Sequence, residues 1–179
     1  MTFLPDPKRL PAAADASAAE TGFTRWAEIA ARGDDTGIAA FARDFTADAA
    51  GHALLTAIFG NSPFLTQAVL SAPETLRQLI EDSPEAVLDR AIADAGPVRE
   101  RSEADTMTAL RRAKRDVALT TAIADIAGAW DVHTVTGALS RFADRASSTA
   151  LDTLMWRGAR DNEITLADEA APSEAAGLF

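Results

Sequence analysis

TMTALRRAKRDVALTTAIADIAGAW, residues 106–130, is the stretch that decides the fold. Its first half is charged, with Arg111, Arg112, Lys114, Arg115 and Asp116. Its second half is apolar on most sides. Leu119, Ile123, Ile126 and Trp130 recur at i, i+4, i+7 and i+11, and Val117, Thr121, Ala124 and Gly128 form a second row. These spacings predict one long helix over 106–130. A helix that is apolar nearly all round is buried among other helices. The second half is therefore expected at the centre of a helical bundle. The charged half is expected to project towards solvent or a partner.

Composition supports an all-α fold. Strong helix formers dominate and period-2 apolar alternation is nearly absent, which predicts a multi-helix bundle of about seven or eight helices around the long one. A chain of 179 residues, 47% of them apolar, can bury a core as one domain. The net charge of −10 argues against non-specific binding to nucleic acid or to an anionic membrane. The absence of cysteine rules out disulfides, thiolate catalysis and zinc–thiolate sites, and fits a reducing cytoplasm. Residues 1–20 hold no apolar run of signal-peptide length, and no stretch approaches a membrane span. The expected location is cytoplasmic.

Three regions follow from the punctuation. Residues 1–20 read as a flexible lead, because Pro5, Pro7 and Pro11 interrupt any helix there. Residues 21–160 read as the helical domain. Phe23, Trp26, Ala27 and Ala30 form a first apolar face that Gly33 ends. Asp34 or Asp35 can cap a second helix with Ile38, Phe41, Ala42 and Phe45 on its face. Leu54, Leu55, Ile58 and Phe59 mark a third, stopped by Gly60. Ser62-Pro63, Ala72-Pro73 and Ser83-Pro84 each start a short helix, with proline at the first helical position. After the central helix, Asp131 or Thr134 caps a last one whose face is Leu139, Phe142, Ala143, Ala146, Ala150 and Leu154. Residues 161–179 read as an acidic linker, and its closing Gly177-Leu178-Phe179 resembles the beginning of a strand.

Few residues ask for chemistry. His52 and His133 lie in no ligand spacing. The carboxylate pairs Asp34-Asp35, Glu81-Asp82 and Asp168-Glu169 sit at helix ends or in loops, where capping and solvation account for them. Gly60-Asn61-Ser62-Pro63 could present N–H groups to an anion. It lacks the glycine spacing and lysine of a phosphate-binding loop, so helix punctuation is the better reading. Arg111, Arg112, Lys114 and Arg115 form the one concentrated positive cluster in an acidic chain. The plainer account is a solvated helix face offset by Glu103, Asp105 and Asp116. The functional account is a contact with an acidic partner or with another domain of the same enzyme. No catalytic, cofactor-binding or metal-ligating residue is assigned. On residues alone the chain is a helical domain without identifiable catalysis; a stand-alone helical protein-interaction module is the alternative reading, and a small helical enzyme would need a polar pocket holding perturbed carboxylates.

Two segments add a resemblance. FGNSPFLTQAVLSAPETLRQL (59–79), followed by LRRAKRDVALTTAIADIAG (110–128), resembles glutamine synthetase adenylyltransferase/adenylyl-removing enzyme. That family has an S-P-F/L helix start, a P-E-x-L step and an L-R-x-x-x-R-x-x-x-L-R-I-x-x-R-D-L-x-G helix. The matching positions are Ser62, Pro63, Phe64, Leu65, Pro73, Glu74, Leu76, Leu110, Arg111, Arg115, Asp125 and Gly128. LSRFADRA (139–146) is similar to the family's L-S-x-L-A-D-A segment. Ala124 stands where the family tends to have arginine.

The resemblance covers about residues 50–160 and implies the leading helical part of the AMP-removing half. In the family a nucleotidyltransferase motif, G-M-G-K-L-G-x-x-E-L-N-x-x-S-D-x-D-L, comes next; its aspartates hold Mg²⁺ and nucleotide phosphate. None of it is present here, so the resemblance implies a fragment that is inactive alone, with ATP and Mg²⁺ serving the intact parent. It implies three partners: the catalytic domain of the same chain, glutamine synthetase, and a PII-type signalling protein. A fragment of this kind is also expected to expose an apolar patch, near Trp156 and Phe179, through which it could dimerise.

Overall fold

A computed structural model describes residues 3–32 and 37–177. Among these residues the chain is all-α, with nine α-helices, one short 3-10 helix (Pro7–Arg9) and no strand. The helices are α1 (Ala16–Ala30), α2 (Ile38–Ala47), α3 (Ala49–Phe59), α4 (Pro63–Ser71), α5 (Pro73–Glu81), α6 (Pro84–Asp94), α7 (Glu103–Ile126), α8 (Val132–Arg160) and α9 (Pro172–Ala175). Proline opens α4, α5 and α6, where its missing N–H leaves no bond unmade. Ser62 caps α4 through the Leu65 N–H at 3.2 Å, and Ser83 caps α6 through the Ala86 N–H at 3.2 Å.

The central helix, α7, is shifted from its expected bounds. Ser102 accepts from the Asp105 N–H at 3.1 Å, so the helix starts at Glu103 and not at Thr106. It ends at Ile126 and not at Trp130. Gly128 takes φ 67°, its N–H reaches the Asp125 carbonyl at 2.8 Å, and the Ala129 N–H reaches the Ala124 carbonyl at 2.9 Å. This is a Schellman motif, which needs a residue at ease in the left-handed region.

The two rows of α7 serve two cores. Leu119 and Ile123 are fully buried in a large cluster with Trp26 of α1, Leu54, Leu55 and Ile58 of α3, and Leu76 and Leu79 of α5. Ile126 packs on the same cluster. Val117 and Ala124 enter a smaller cluster with Leu88, Ala91 and Ile92 of α6 and Ala138 of α8. Trp130 belongs to this second cluster, because the Schellman turn carries it off the first row.

Both ends of the chain are more structured than their composition suggests. The prolines forbid an α-helix in the lead but leave a 3-10 turn, and α1 starts at Ala16, capped by Asp15 through the Ala18 N–H at 2.9 Å. The Phe3 N–H binds the Ile80 carbonyl at 2.9 Å. The 161–177 stretch folds back along α8. There Trp156 Nε1 donates to the Glu169 carbonyl at 2.9 Å, and the Ser173 N–H donates to Asp152 Oδ1 at 2.9 Å. Gly33, Asp34, Asp35 and Phe179 lie outside the described residues.

The apolar face expected on α8 is only partly buried. The residues α8 buries are Ala138, Thr149, Asp152, Trp156 and Gly158. Its neighbours α6, α7 and α9 lie on that side. Val132, Leu139 and Leu154 stay 67%, 44% and 43% exposed. Trp156 itself is buried, so the exposed patch lies further round α8 than expected.

Candidate functional site

The charged half of α7 runs beside α5 and α6, and a groove of about 620 Å³ lies between them. Arg111, Arg112 and Arg115 line it from α7, and Arg90 joins them from α6. Lys114 is exposed but does not line the groove, so the sequence cluster divides by helix face. The other wall carries Glu74, Thr75 and Gln78 of α5, with Asp94 of α6. A second groove of about 540 Å³ continues past Asp94 and Arg112 to Arg101 and Asp105.

Asp116 organises the groove floor. Its side chain is 15% exposed. Its Oδ1 accepts from Arg115 Nε at 3.0 Å, from Arg115 Nη2 at 2.9 Å and from Thr75 Oγ1 at 3.1 Å. Arg112 Nε stands 4.0 Å from its other oxygen. Arg115 is thus fixed in place by Asp116 Oδ1. Arg90 is held by Asp82 at 2.7 Å from outside the groove.

The acids expected to offset the cluster are mostly engaged elsewhere. Glu103 binds Arg157 of α8 at 2.6 Å, and Asp105 accepts from the capping Ser102 hydroxyl at 2.6 Å. Of the three, Asp116 alone pairs with the arginines. Sequence reading missed Arg90, Thr75 and Gln78, because only the packing of α5 and α6 along α7 brings them to the groove. An arrangement of several guanidinium groups over a fixed carboxylate can receive carboxylates or phosphates by bidentate hydrogen bonds.

The remaining candidates have structural roles. His52 stacks on Phe23 with ring centroids 4.7 Å apart, and His133 is exposed in the first turn of α8. Glu81 stands 3.8 Å from Arg77, and Glu169 binds Arg99 at 2.7 Å. Asp168 accepts from the Ala170 N–H at 2.7 Å. Asn61 ties α3 to the lead, donating to the carbonyls of Ala57 at 2.9 Å and Ala12 at 3.0 Å. Among the described residues no group of three or more His, Cys, Asp or Glu is placed to hold a metal, and no helix is long and apolar enough to cross a membrane.

Comparison with known proteins agrees with the resemblance. A profile of glutamate-ammonia ligase adenylyltransferase matches residues 52–176. Three relatives are each a bifunctional glutamine synthetase adenylyltransferase/adenylyl-removing enzyme. That of Xanthobacter autotrophicus is 41% identical over 65% of this chain and 12% of its own length. That of Rhizobium meliloti is 36% identical over 83% of this chain and 15% of its own. That of Bradyrhizobium sp. (strain ORS 278) is 35% identical over 79% and 15%. The chain thus spans only 12–15% of the length of these relatives. No solved structure matches it significantly. With the profile covering the arginine groove and both long helices, the chain belongs to the glutamate-ammonia ligase adenylyltransferase family.

Proposed function

We propose that this chain is a non-catalytic helical part of an enzyme that adenylylates and deadenylylates glutamine synthetase and so regulates nitrogen assimilation. The chemistry, with ATP and Mg²⁺, resides in a nucleotidyltransferase domain of the parent enzyme. The helical part packs on that domain and helps present it to its large protein substrate, under the control of a PII-type signalling protein.

The observation that carries the docking role is the arginine groove. Four arginines, Arg90, Arg111, Arg112 and Arg115, converge there on a chain whose net charge is −10. Charge placed against the overall sign is a recognition feature, because it orients an acidic surface and disfavours wrong partners. On this reading the groove receives an acidic patch of the catalytic domain.

Two experiments test this reading. The purified chain incubated with ATP, Mg²⁺ and glutamine synthetase is expected to transfer no AMP; an adenylylation signal would refute the non-catalytic assignment. Binding of the chain to the nucleotidyltransferase domain of the Rhizobium meliloti relative is expected to weaken at least tenfold with Arg111→Glu plus Arg112→Glu, and to weaken with salt. Binding that ignores both changes would remove the groove from the interface.

A further inference from the structure

The charges of the groove between α5, α6 and α7 sort by wall once its internal pairs are set aside. Asp116 pairs with Arg115 at 2.9 Å, and Arg90 pairs with Asp82 at 2.7 Å. Four other charged residues line the groove. Arg111 and Arg112 stand on α7, and Glu74 and Asp94 stand across from them on α5 and α6. Among the described residues the side chains of Arg111, Glu74 and Asp94 make no ion pair or hydrogen bond. Arg112 comes no nearer to Asp116 than 4.0 Å, and its side chain is 75% exposed. The groove therefore has a positive wall and a negative wall that do not close on each other.

The helices gain little from holding these charges. The residues three and four places from Arg111 are Met107, Thr108, Lys114 and Arg115, two cations and no acid, which disfavours the helix. Asp94 ends α6, where the helix dipole disfavours a negative charge, and its neighbour one turn back, Arg90, turns to Asp82 instead. Arg101 shares the adjoining groove with Asp94 but donates to the Gly96 carbonyl at 3.4 Å. Glu74 alone has a local use, in the first turn of α5. Ala72 and Ala91 lie buried between the walls, so the long side chains of a partner have room to enter. A wholly acidic surface would set carboxylates beside Glu74 and Asp94, and like charges juxtaposed across an interface cost affinity. Building on the docking reading above, we propose that the groove binds a mixed-charge surface of the nucleotidyltransferase domain, with carboxylates facing Arg111 and Arg112 and a lysine or arginine facing Glu74 and Asp94. This polarity admits one orientation, because a partner turned end for end meets like charge on both walls.

The test measures binding of the 179-residue chain to the nucleotidyltransferase domain of the Rhizobium meliloti relative by calorimetry. Glu74→Gln with Asp94→Asn neutralises the negative wall at exposed positions and nearly keeps its shape. The circular dichroism spectrum is expected to stay unchanged while Kd rises about threefold or more. A wholly acidic partner would bind this variant more tightly, because a repulsion is gone. Tighter or unchanged binding overturns the proposal and leaves the docking role of the arginines standing. Asp94→Asn alone also relieves the clash with the dipole of α6. It is expected to weaken binding with an unfolding midpoint equal to or above that of wild type, which separates lost binding from lost folding. Failure of the docking reading looks different. Absence of binding, or binding that ignores Arg111→Glu plus Arg112→Glu, removes the groove from the interface and overturns this proposal with it.

Discussion

Trp130 Nε1 donates to Glu85 Oε1 at 2.5 Å, joining the loop after α7 to the first turn of α6. Two features of the fold meet in this bond. The Schellman turn at Gly128 swings Trp130 into the second core cluster, and the N-terminus of α6 favours a negative charge at Glu85. The bond to Trp130 is the largest reason the Glu85 carboxyl titrates below its ordinary value; partial burial opposes it.

A carboxyl held low in the folded state stabilises the fold above the unfolded pKa and loses that contribution as pH falls through the folded value. Trp130→Phe removes the donor and keeps most of the ring. Thermal unfolding is expected to show a loss of about 1 kcal/mol from the bond at pH 7, plus a pH-independent loss from packing. The gap between wild type and variant should narrow below about pH 4 as Glu85 protonates. A gap that stays constant with pH would mean the ring matters only by its bulk.

Two glycines set how closely the helices pack. A Cβ on Gly22 of α1 would lie 2.4 Å from the Phe59 ring of α3, and one on Gly51 would lie 2.0 Å from the Phe45 carbonyl oxygen. Both sit in helices, where alanine would ordinarily gain about 1 kcal/mol. The overlap outweighs that gain, at about 1–3 kcal/mol for overpacking. Gly51→Ala is expected to be the worse, because a backbone oxygen can yield less than a phenyl ring. Urea titrations of the two variants rank them; a stabilised Gly51→Ala would show that the α2–α3 junction can spread.

The arginines of the groove should separate by role. Arg115 serves the largely buried Asp116, so Arg115→Ala is expected to cost about 1 kcal/mol as two hydrogen bonds to a carboxylate disappear. Arg111→Ala removes an exposed side chain and should stay within about 0.5 kcal/mol. Equal losses from the two, by chemical denaturation, would contradict the fixed floor of the groove.

The all-α class, the proline-opened helices and the two apolar rows of α7 were legible because each is a local pattern with a fixed period or a fixed cap. Leu119 and Ile123 lie at the centre of the main core as their spacing requires. The end of α7 was missed because Gly128 also fits a helical row, and only its left-handed φ shows that it ends the helix. The face of α8 was misplaced for a different reason. Periodicity marks an apolar stripe but not which part of it meets a neighbour, and Thr149 and Asp152 are buried while Leu139 is not. At the groove, Arg111, Arg112 and Arg115 were visible as a cluster, whereas Arg90 arrives from a helix about twenty residues earlier in the chain and carries no sequence signal.

Asp152 shows how a buried polar residue on that helix orders the acidic 161–177 stretch. It is 5% exposed, and its Oδ1 accepts from the Ser173 N–H at 2.9 Å. A buried carboxylate without such a partner would be costly, so the bond fixes where α9 sits. Trp156 and Arg99 hold the same stretch through Glu169, by hydrogen bond and ion pair, but the ion pair is largely exposed and contributes little. Asp152→Ala is therefore expected to release α9 while the main core, built on α1, α3, α5 and α7, stays folded. Limited digestion with a glutamate-specific protease should cut the variant several-fold faster at Glu174 than wild type, with a similar unfolding midpoint for the rest of the chain. Equal cleavage rates would mean that the Trp156 contact holds the stretch by itself.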